Sequence, residues 1–198
     1  MMASPEAPLE RVIEALRAPG TPAGYGITGI SRSMEQLRKE LNYYYTSPTA
    51  PESSSQSIGH RVHSLHCALE PLLENDGPYI RAWALAIQAF LHKTWPSSPE
   101  VSLGDLAKRL GGALGEPEIR LCSSIEMTVW QYFVGAVTAE EGSETREWFI
   151  TRLQRMFLPM RVREWKTVTR ILERALMPDL RLLVEFKEMW DKAIHVPG

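Results

Sequence analysis

Apolar residues recur every three to four positions along almost the whole chain, and no other feature constrains the fold as strongly. This spacing is the period of an amphipathic helix. No segment shows the sustained alternation of apolar and polar residues that is typical of a half-buried strand. With 198 residues, the chain has the length of one domain. The sequence therefore predicts a single all-α globular domain of about eight helices, without a sheet.

Proline, glycine and capping residues divide the pattern into separate helices. Before residue 58, the spacing predicts a helix over 8–17 and a second helix that opens at Ser33 in a capping box. The helices predicted after it cover 58–75, 78–94, a segment from Ser102 to the glycines at 111–115, 117–139, 144–157, 161–176 and 179–195. We expect the second and fourth of these to form the buried centre, because nearly all of their positions are apolar. Pro71 should kink the first of them or end it early.

The segment 46–57, TSPTAPESSSQS, contains seven Ser or Thr residues and two prolines. This composition favours a mobile linker or surface loop, because it offers few side chains to bury. A lid over a pocket is the alternative function for a loop of this length. The linker would join the N-terminal helices, within residues 1–57, to an all-α core domain over 58–198.

Charge and composition exclude several classes of function. The net charge is −2, and residues 143–198 hold 11 basic against 8 acidic residues, a surplus too small to indicate nucleic-acid binding. Two cysteines, Cys67 and Cys122, are too few for a disulfide scaffold or a cysteine-zinc module. The chain shows neither a signal-peptide pattern nor an apolar run of about 20 residues. We therefore expect an intracellular protein, cytoplasmic or nuclear, without membrane contact.

Histidines at 60, 63 and 66 lie three residues apart and are followed by Cys67. On a helix, His63 and His66 are close enough to share a metal ion. Zinc sites need three or four ligands, and the sequence indicates no third. We expect instead a partly exposed helix face with one histidine turned inward, without a metal ion or another cofactor.

Polar residues inside the two most apolar helices are the strongest candidates for a functional site. Gln88 and His92 lie one helical turn apart in the first of these helices, and Glu126 and Gln131 lie in the other. A polar side chain in a buried helix must find a hydrogen-bond partner or line a cavity. Core glutamines that are simply hydrogen-bonded are the structural alternative.

Aromatic residues on the same two helices would give such a cavity its walls. Trp83, Trp130 and Tyr132 are the candidates, and His66 would add a further donor. Few polar groups between aromatic walls are usual in small-molecule sites. Tryptophans that only fill the core are the alternative here as well.

Familiar catalytic signatures are missing from the sequence. It contains no G-x-S-x-G elbow, no G-x-x-x-x-G-K-[ST] loop and no H-E-x-x-H helix. A nucleophilic role for Cys122 has no local support. The Met and Trp residues between 148 and 190 are consistent with a partner-binding face or with core packing.

Several helical stretches carry a likeness to a known family. They are RAWALAIQAFL at 81–91, LAKRLGGAL at 106–114, EPEIRLCSSIEMTVWQYFVGAV at 116–137, REWFITRL at 146–153, REWKTVTRILERALMPD at 163–179 and LVEFKEMWDKA at 183–193. Together they resemble the middle and C-terminal regulatory region of fungal transcription factors of the binuclear zinc-cluster type. The motifs are helix-packing patterns and contain no chemical signature.

The resemblance implies a helical domain that integrates regulatory signals, which in some members of that family are small molecules. In that family DNA is contacted by a separate N-terminal module, in which six cysteines hold two zinc ions. The 79 residues before Ile80 contain one cysteine and no basic run. The resemblance therefore implies no direct DNA binding here, and it suggests a place in fungal secondary metabolism.

Two functions follow as expectations. The first is a stand-alone protein that binds an apolar small molecule, with a cofactor-independent cyclase or isomerase of Diels–Alder type as its enzymatic form. Such an enzyme would template the closure of a polyene or terpenoid in an aromatic pocket. The expected site residues are Gln88, His92 and Gln131 for catalysis, and His66, Trp83, Glu126, Trp130 and Tyr132 for substrate binding. The alternative is a regulator or interaction module that binds a protein partner, or a second copy, through its C-terminal helices.

Overall fold

The computed structural model describes residues 27–47, 52–74, 77–96, 101–116 and 125–195. Within these ranges it contains eight α-helices and no strand, which confirms the predicted all-α single domain. The helices are α1 (Ile27–Thr46), α2 (Glu52–Leu73), α3 (Pro78–Thr94), α4 (Leu103–Gly115), α5 (Ile125–Thr138), α6 (Glu144–Met160), α7 (Trp165–Ala175) and α8 (Leu180–His195). None of them is both long and apolar enough to cross a bilayer.

The centre of the domain consists of α3 and α5, as their composition predicts. α3 packs against α2, α4 and α5. α5 packs against α3, α4, α6, α7 and α8. Every residue of α5 from Thr128 to Thr138 is buried. A helix that is apolar on all sides can be stable only in such a position.

The prediction of a linker over 46–57 is wrong from residue 52 onward. α2 begins at Glu52 and continues through the serines that follow it. Glu52 in the first turn interacts favourably with the helix dipole, and the buried residues Ile58 and Val62 anchor the later turns. The lid hypothesis fails for residues 52–57, which belong to a packed helix. Pro71 lies in the last turn of α2 without ending it earlier.

α1 is longer than its predicted counterpart. It begins at Ile27, so Ser33 lies inside the helix and is not its cap. Its buried residues recur at helical spacing on the side that packs against α2, and they are Ile30, Met34, Leu37 and Leu41. The helix begins before Ser33 because the apolar residues there pack in the core, and this packing outweighs the local capping signal of Ser33. The helix predicted over 8–17 and the first part of the one predicted over 117–139 lie outside the described residues.

Ser102, where the sequence predicts that α4 begins, is the N-cap of this helix. Its Oγ accepts a hydrogen bond of 3.2 Å from the backbone N–H of Asp105, at the start of α4. The helix continues past Gly111 and Gly112 and ends only at Gly115.

Aromatic side chains fill the space between α5 and the last three helices. The ring of Phe133 on α5 lies 6.1 Å from that of Phe157 on α6, 6.2 Å from Trp165 on α7 and 5.0 Å from Phe186 on α8, centroid to centroid. Trp190 on α8 is buried and contacts Phe157 edge to face. The other Met and Trp residues between 148 and 190 are buried in this core or packed against it. Core packing is therefore the correct interpretation of these residues.

Candidate functional site

His66 and His92 meet where α2 packs against α3. Their ring centroids are 4.4 Å apart, and the two rings are tilted by 40°. His66 is half-buried and His92 is only 7% exposed, whereas His60 and His63 are exposed. The prediction that one histidine of this series turns inward is confirmed.

Both rings of this pair are uncharged at neutral pH. Burial, together with the positive potential of His92 and His63, lowers the pKa of His66 from 6.5 to about 4. Burial also lowers the pKa of His92. A neutral imidazole presents one N–H donor and one acceptor nitrogen. The pair can therefore donate and accept hydrogen bonds without a charge.

Gln88 lies one turn before His92 on the same face of α3. Its side-chain Oε1 is buried and has no hydrogen-bond partner among the residues that the structure describes. An unpaired buried carbonyl oxygen costs about 1–3 kcal/mol of stability. We refer to His66, Gln88 and His92 as the α2–α3 cluster. The cluster combines an unused acceptor with two neutral imidazoles.

The predicted aromatic walls lie elsewhere around α3. Trp83 precedes Gln88 by five residues, and Phe90 follows it by two. These separations place the side chains of Trp83 and Phe90 about 140° and 160° around the helix axis from that of Gln88. The ring of Phe90 contacts Trp130 of α5, with centroids 5.9 Å apart. Trp83 and Trp130 therefore belong to the side of α3 opposite the cluster.

Trp130 carries a second unsatisfied polar atom. Its side chain is completely buried, and its Nε1–H has no acceptor within the described parts of the chain. Indole N–H groups normally find a partner when they are buried. These two unpaired atoms, an acceptor on Gln88 and a donor on Trp130, lie on different sides of α3. A third buried atom without a partner in the described structure, Oδ2 of Asp179, lies at the start of α8.

The remaining predicted residues lie on α5. Gln131 is 4% exposed. Tyr132 contacts Trp148 and Phe149 of α6, with centroids 5.9 and 6.2 Å away. Glu126 is half-buried, and one of its carboxylate oxygens lies 3.9 Å from a guanidinium nitrogen of Arg174 on α7. Tyr132 and Glu126 thus face α6 and α7, and neither joins the α2–α3 cluster.

A polar junction at the C-terminal end of α3 was missed by the sequence reasoning. The backbone carbonyl of Thr94 accepts hydrogen bonds from the Tyr45 hydroxyl at 3.2 Å and from Arg181 Nη2 at 2.9 Å. The Arg181 guanidinium also lies over the Tyr45 ring, 4.4 Å from its centroid. A cation at this end of a helix interacts favourably with the helix dipole. The junction ties α1 and α8 to the end of α3.

Asp179 begins α8 at the same junction. Its Oδ1 accepts hydrogen bonds from the backbone N–H groups of Arg181 and Leu182, which is the geometry of a helix N-cap. The residue is completely buried. A Pro–Asp pair directly before an amphipathic stripe is a sequence signal for such a cap.

Comparison with known proteins gives no match of any kind: no family model, curated protein or solved structure matches this chain. The resemblance to fungal zinc-cluster regulators therefore stays a prediction from the sequence. Among the residues with described positions, no three His, Cys, Asp or Glu side chains come together as metal ligands would. The chemistry of the site itself is the basis for a functional proposal.

Proposed function

We propose that this chain binds a neutral, mainly apolar small molecule at the α2–α3 cluster, through a hydroxyl group of that molecule. The observation that carries the proposal is Gln88 Oε1, a buried acceptor without a partner in the described structure, one turn from the His66–His92 pair. Buried polar atoms in native proteins are normally hydrogen-bonded. A ligand that donates to this oxygen would remove the cost of leaving it unpaired.

The electrostatics of the cluster favour an uncharged ligand. The lowered pKa values of His66 and His92 leave both rings neutral at neutral pH. The residues one helical turn from the side chains of the cluster on the same helix faces, Val62, Leu69 and Leu85, are buried and apolar. A charged ligand would lose its hydration there without gaining a counter-charge.

The enzymatic form of the proposal is a cofactor-free cyclisation. A Diels–Alder closure forms two carbon–carbon σ bonds from two π bonds and exchanges no proton or electron with the protein. Such a reaction needs a held conformer and a hydrogen bond that polarises a carbonyl group. The neutral ring of His92 and the amide of Gln88 supply N–H donors of this kind.

A pair of ligands that differ in one hydroxyl tests the binding proposal. Geraniol is an acyclic terpenoid alcohol, and myrcene is a hydrocarbon with the same number of carbon atoms. We expect geraniol to bind about tenfold more tightly, because one added hydrogen bond contributes about 1–1.5 kcal/mol. Thermal shift and calorimetry measure this difference, and the ring proton signals of His66 and His92 should move on binding.

The variant Gln88→Leu should abolish the preference for geraniol and leave myrcene binding intact. Gln36→Leu, at an exposed position of α1, is the matched control and should keep the preference. Equal affinity for both ligands in the wild type would contradict the proposal. A preference that survives in Gln88→Leu would also contradict it, because the hydroxyl would then be recognised elsewhere.

The enzymatic form needs its own measurement. A linear triene that carries an α,β-unsaturated ketone closes to a racemic product in buffer. We expect the protein to yield an excess of one enantiomer, measured by chiral chromatography, and Gln88→Leu to reduce that excess. A racemic product formed at the buffer rate would rule out the cyclase and leave the binding proposal standing.

A protein-interaction function is the second candidate, and exposed apolar residues on the last three helices favour it. Leu158 is 70% exposed, while Leu180 and Val184 on α8 are 56% and 61% exposed, one helical turn apart. Such residues are more frequent at contact surfaces. If a second copy binds there, sedimentation should show a concentration-dependent dimer that Val184→Ser weakens. A monomer at every concentration would exclude this homo-oligomeric form.

A further inference from the structure

The C-terminal ends of α6 and α8 border a half-open cleft of about 300 Å³. Its floor consists of Phe157, Val162 and Ala193, all of which are buried. Leu158 and Ile194 stand at its edge and are 70% and 41% exposed. The apolar surface that a molecule from solvent can reach in the cleft therefore comes mainly from Leu158 and Ile194. Its volume lies at the lower end of the range for small-molecule sites, roughly 300–1,000 Å³.

Two arginines line the same cleft. Arg161 and Arg163 are exposed, and neither forms an ion pair with any acidic residue that the structure describes. Guanidinium groups bind carboxylates through two parallel N–H···O bonds. The combination of an apolar floor and two available guanidinium groups is complementary to an anion with an apolar body.

The backbone of Arg161 is unusual. Its φ of 52° and ψ of 32° place it in the left-handed region, and it is the one non-glycine residue with positive φ in the described ranges. Glycine usually occupies this position after a helix, because a side chain is strained there. The conformation closes α6, because the backbone N–H groups of Arg161 and Val162 donate hydrogen bonds to the carbonyls of Leu158 and Phe157. The cap holds Arg161 at the border of the cleft.

The charge of the cleft favours a single negative charge on the ligand. The C-terminal end of a helix carries roughly −0.5 of an elementary charge, and both α6 and α8 end at the cleft. Two arginines against two helix ends leave a net charge of about +1. The helix dipole alone explains one basic residue after α6, but it explains neither the second arginine nor the apolar floor.

The surroundings of the cleft strengthen this attraction. Residues 155–174 contain six Lys or Arg and two Glu, although the whole chain has a net charge of −2. All six basic residues are exposed. A local surplus of this sign raises the concentration of anions near the surface.

We propose that this cleft binds a monocarboxylate with an apolar chain. Its carboxylate would pair with Arg161 and Arg163, and its chain would lie against Leu158 and Ile194, above the buried side chains of the floor. Decanoate, which joins one carboxylate to an unbranched apolar chain, is the probe that carries both features. The site is separate from the α2–α3 cluster and does not depend on the function proposed there.

Calorimetric titration of the full chain with three probes tests this site. Decanoate carries both features, decanol has the chain without the charge, and acetate has the charge without the chain. We expect decanoate to bind at least tenfold more tightly than either of the other two. Arg161→Gln and Arg163→Gln should each weaken decanoate binding about tenfold. Arg155→Gln removes an exposed charge of α6 that does not line the cleft, and it should change the affinity less than twofold.

Three results would overturn the proposal. Decanol binding as tight as decanoate would show that the arginines take no part. An equal loss in Arg155→Gln would show a diffuse effect of charge. Binding to phosphatidylglycerol vesicles without binding to monomeric decanoate would indicate a membrane surface instead. Circular dichroism would show whether Arg161→Gln folds. If it does not, Arg163→Gln still decides the test, because residue 163 lies outside the helices. Gln88→Leu should leave decanoate binding unchanged, so the two proposals fail independently.

Discussion

The aromatic core around Phe133 and the α2–α3 cluster both lie between packed helices, yet their chemistry is opposite. Around Phe133, the rings of Phe157, Trp165 and Phe186 lie within 5.0–6.2 Å. The cluster instead places imidazoles and an amide between two helices and leaves Gln88 Oε1 unpaired within the described structure. The first region stabilises the fold through close packing, whereas the second lowers stability. A cost of this kind is expected where a chain keeps residues for binding, and we therefore place the proposed function at the cluster.

The largest effect on stability should come from the aromatic core. Phe133→Ala removes a buried ring that contacts three helices, and we expect it to lower the free energy of unfolding by about 3–5 kcal/mol. Urea denaturation followed by circular dichroism measures the loss. Tyr43→Ala is the control, because Tyr43 is 57% exposed and its loss should change stability by no more than about 0.5 kcal/mol. A loss below about 2 kcal/mol in Phe133→Ala would mean that this core can collapse around the gap.

Overpacking should be the next largest effect. A methyl group at position 135 would overlap the ring of Phe149, which is completely buried. We expect Gly135→Ala to destabilise the fold by about 1–3 kcal/mol, measured as a change in the urea midpoint. Gly112→Ala on α4 meets no atom within 4 Å and should stabilise by up to about 1 kcal/mol through helix propensity. The same sign for both variants would contradict this account.

The fold could be predicted from the sequence wherever the apolar pattern is continuous. α3 begins at Pro78 and ends at Thr94, as the periodicity and the first-turn proline indicate. Residues 52–57 could not be assigned in this way, because serines are compatible with a loop and with an exposed helix turn. Their helix depends on the turns that follow, where Ile58 and Val62 are buried.

For the candidate site, the sequence predicts only which residues share one face of a single helix. Four residues separate Gln88 from His92, so their common face follows from helix geometry alone. That α2 covers this face with His66 is a tertiary fact without a local signal. The junction at Thr94 shows the same limit, since its partners Tyr45 and Arg181 lie 49 and 87 residues away in sequence.

Acid should weaken the cluster and leave the aromatic core unaffected. The pKa of His66 is about 4 in the folded protein and 6.5 in the unfolded chain. The unfolded chain therefore binds a proton at His66 more readily than the folded protein does. The contribution of neutral His66 to stability is therefore complete above about pH 7, and it is lost as the pH drops from 6.5 towards 4. For this half-buried group we expect a loss of about 1–2 kcal/mol between pH 7.5 and 5.

Urea denaturation at the two pH values measures the effect. His66→Gln should lose less stability than the wild type between them, because only the contribution of His92 remains at the cluster. His60→Gln, at an exposed position of α2, should behave as the wild type does. A wild-type stability that stays constant down to pH 5 would mean that His66 titrates normally in the folded state.

The smallest expected effect is also the one that separates the two regions most directly. Gln88→Leu keeps a side chain of similar size and removes the unpaired buried oxygen, so we expect it to stabilise the ligand-free protein by about 1 kcal/mol. Thr138→Val on α5 is the matched control, because the Thr138 hydroxyl donates a hydrogen bond of 2.7 Å to the carbonyl of Val134. That variant should lose about 0.5–1.5 kcal/mol. If Gln88→Leu lowers the free energy of unfolding as much as Thr138→Val does, Gln88 is a satisfied structural residue. The cluster would then be core like the region around Phe133, and the proposed function would lose its main support.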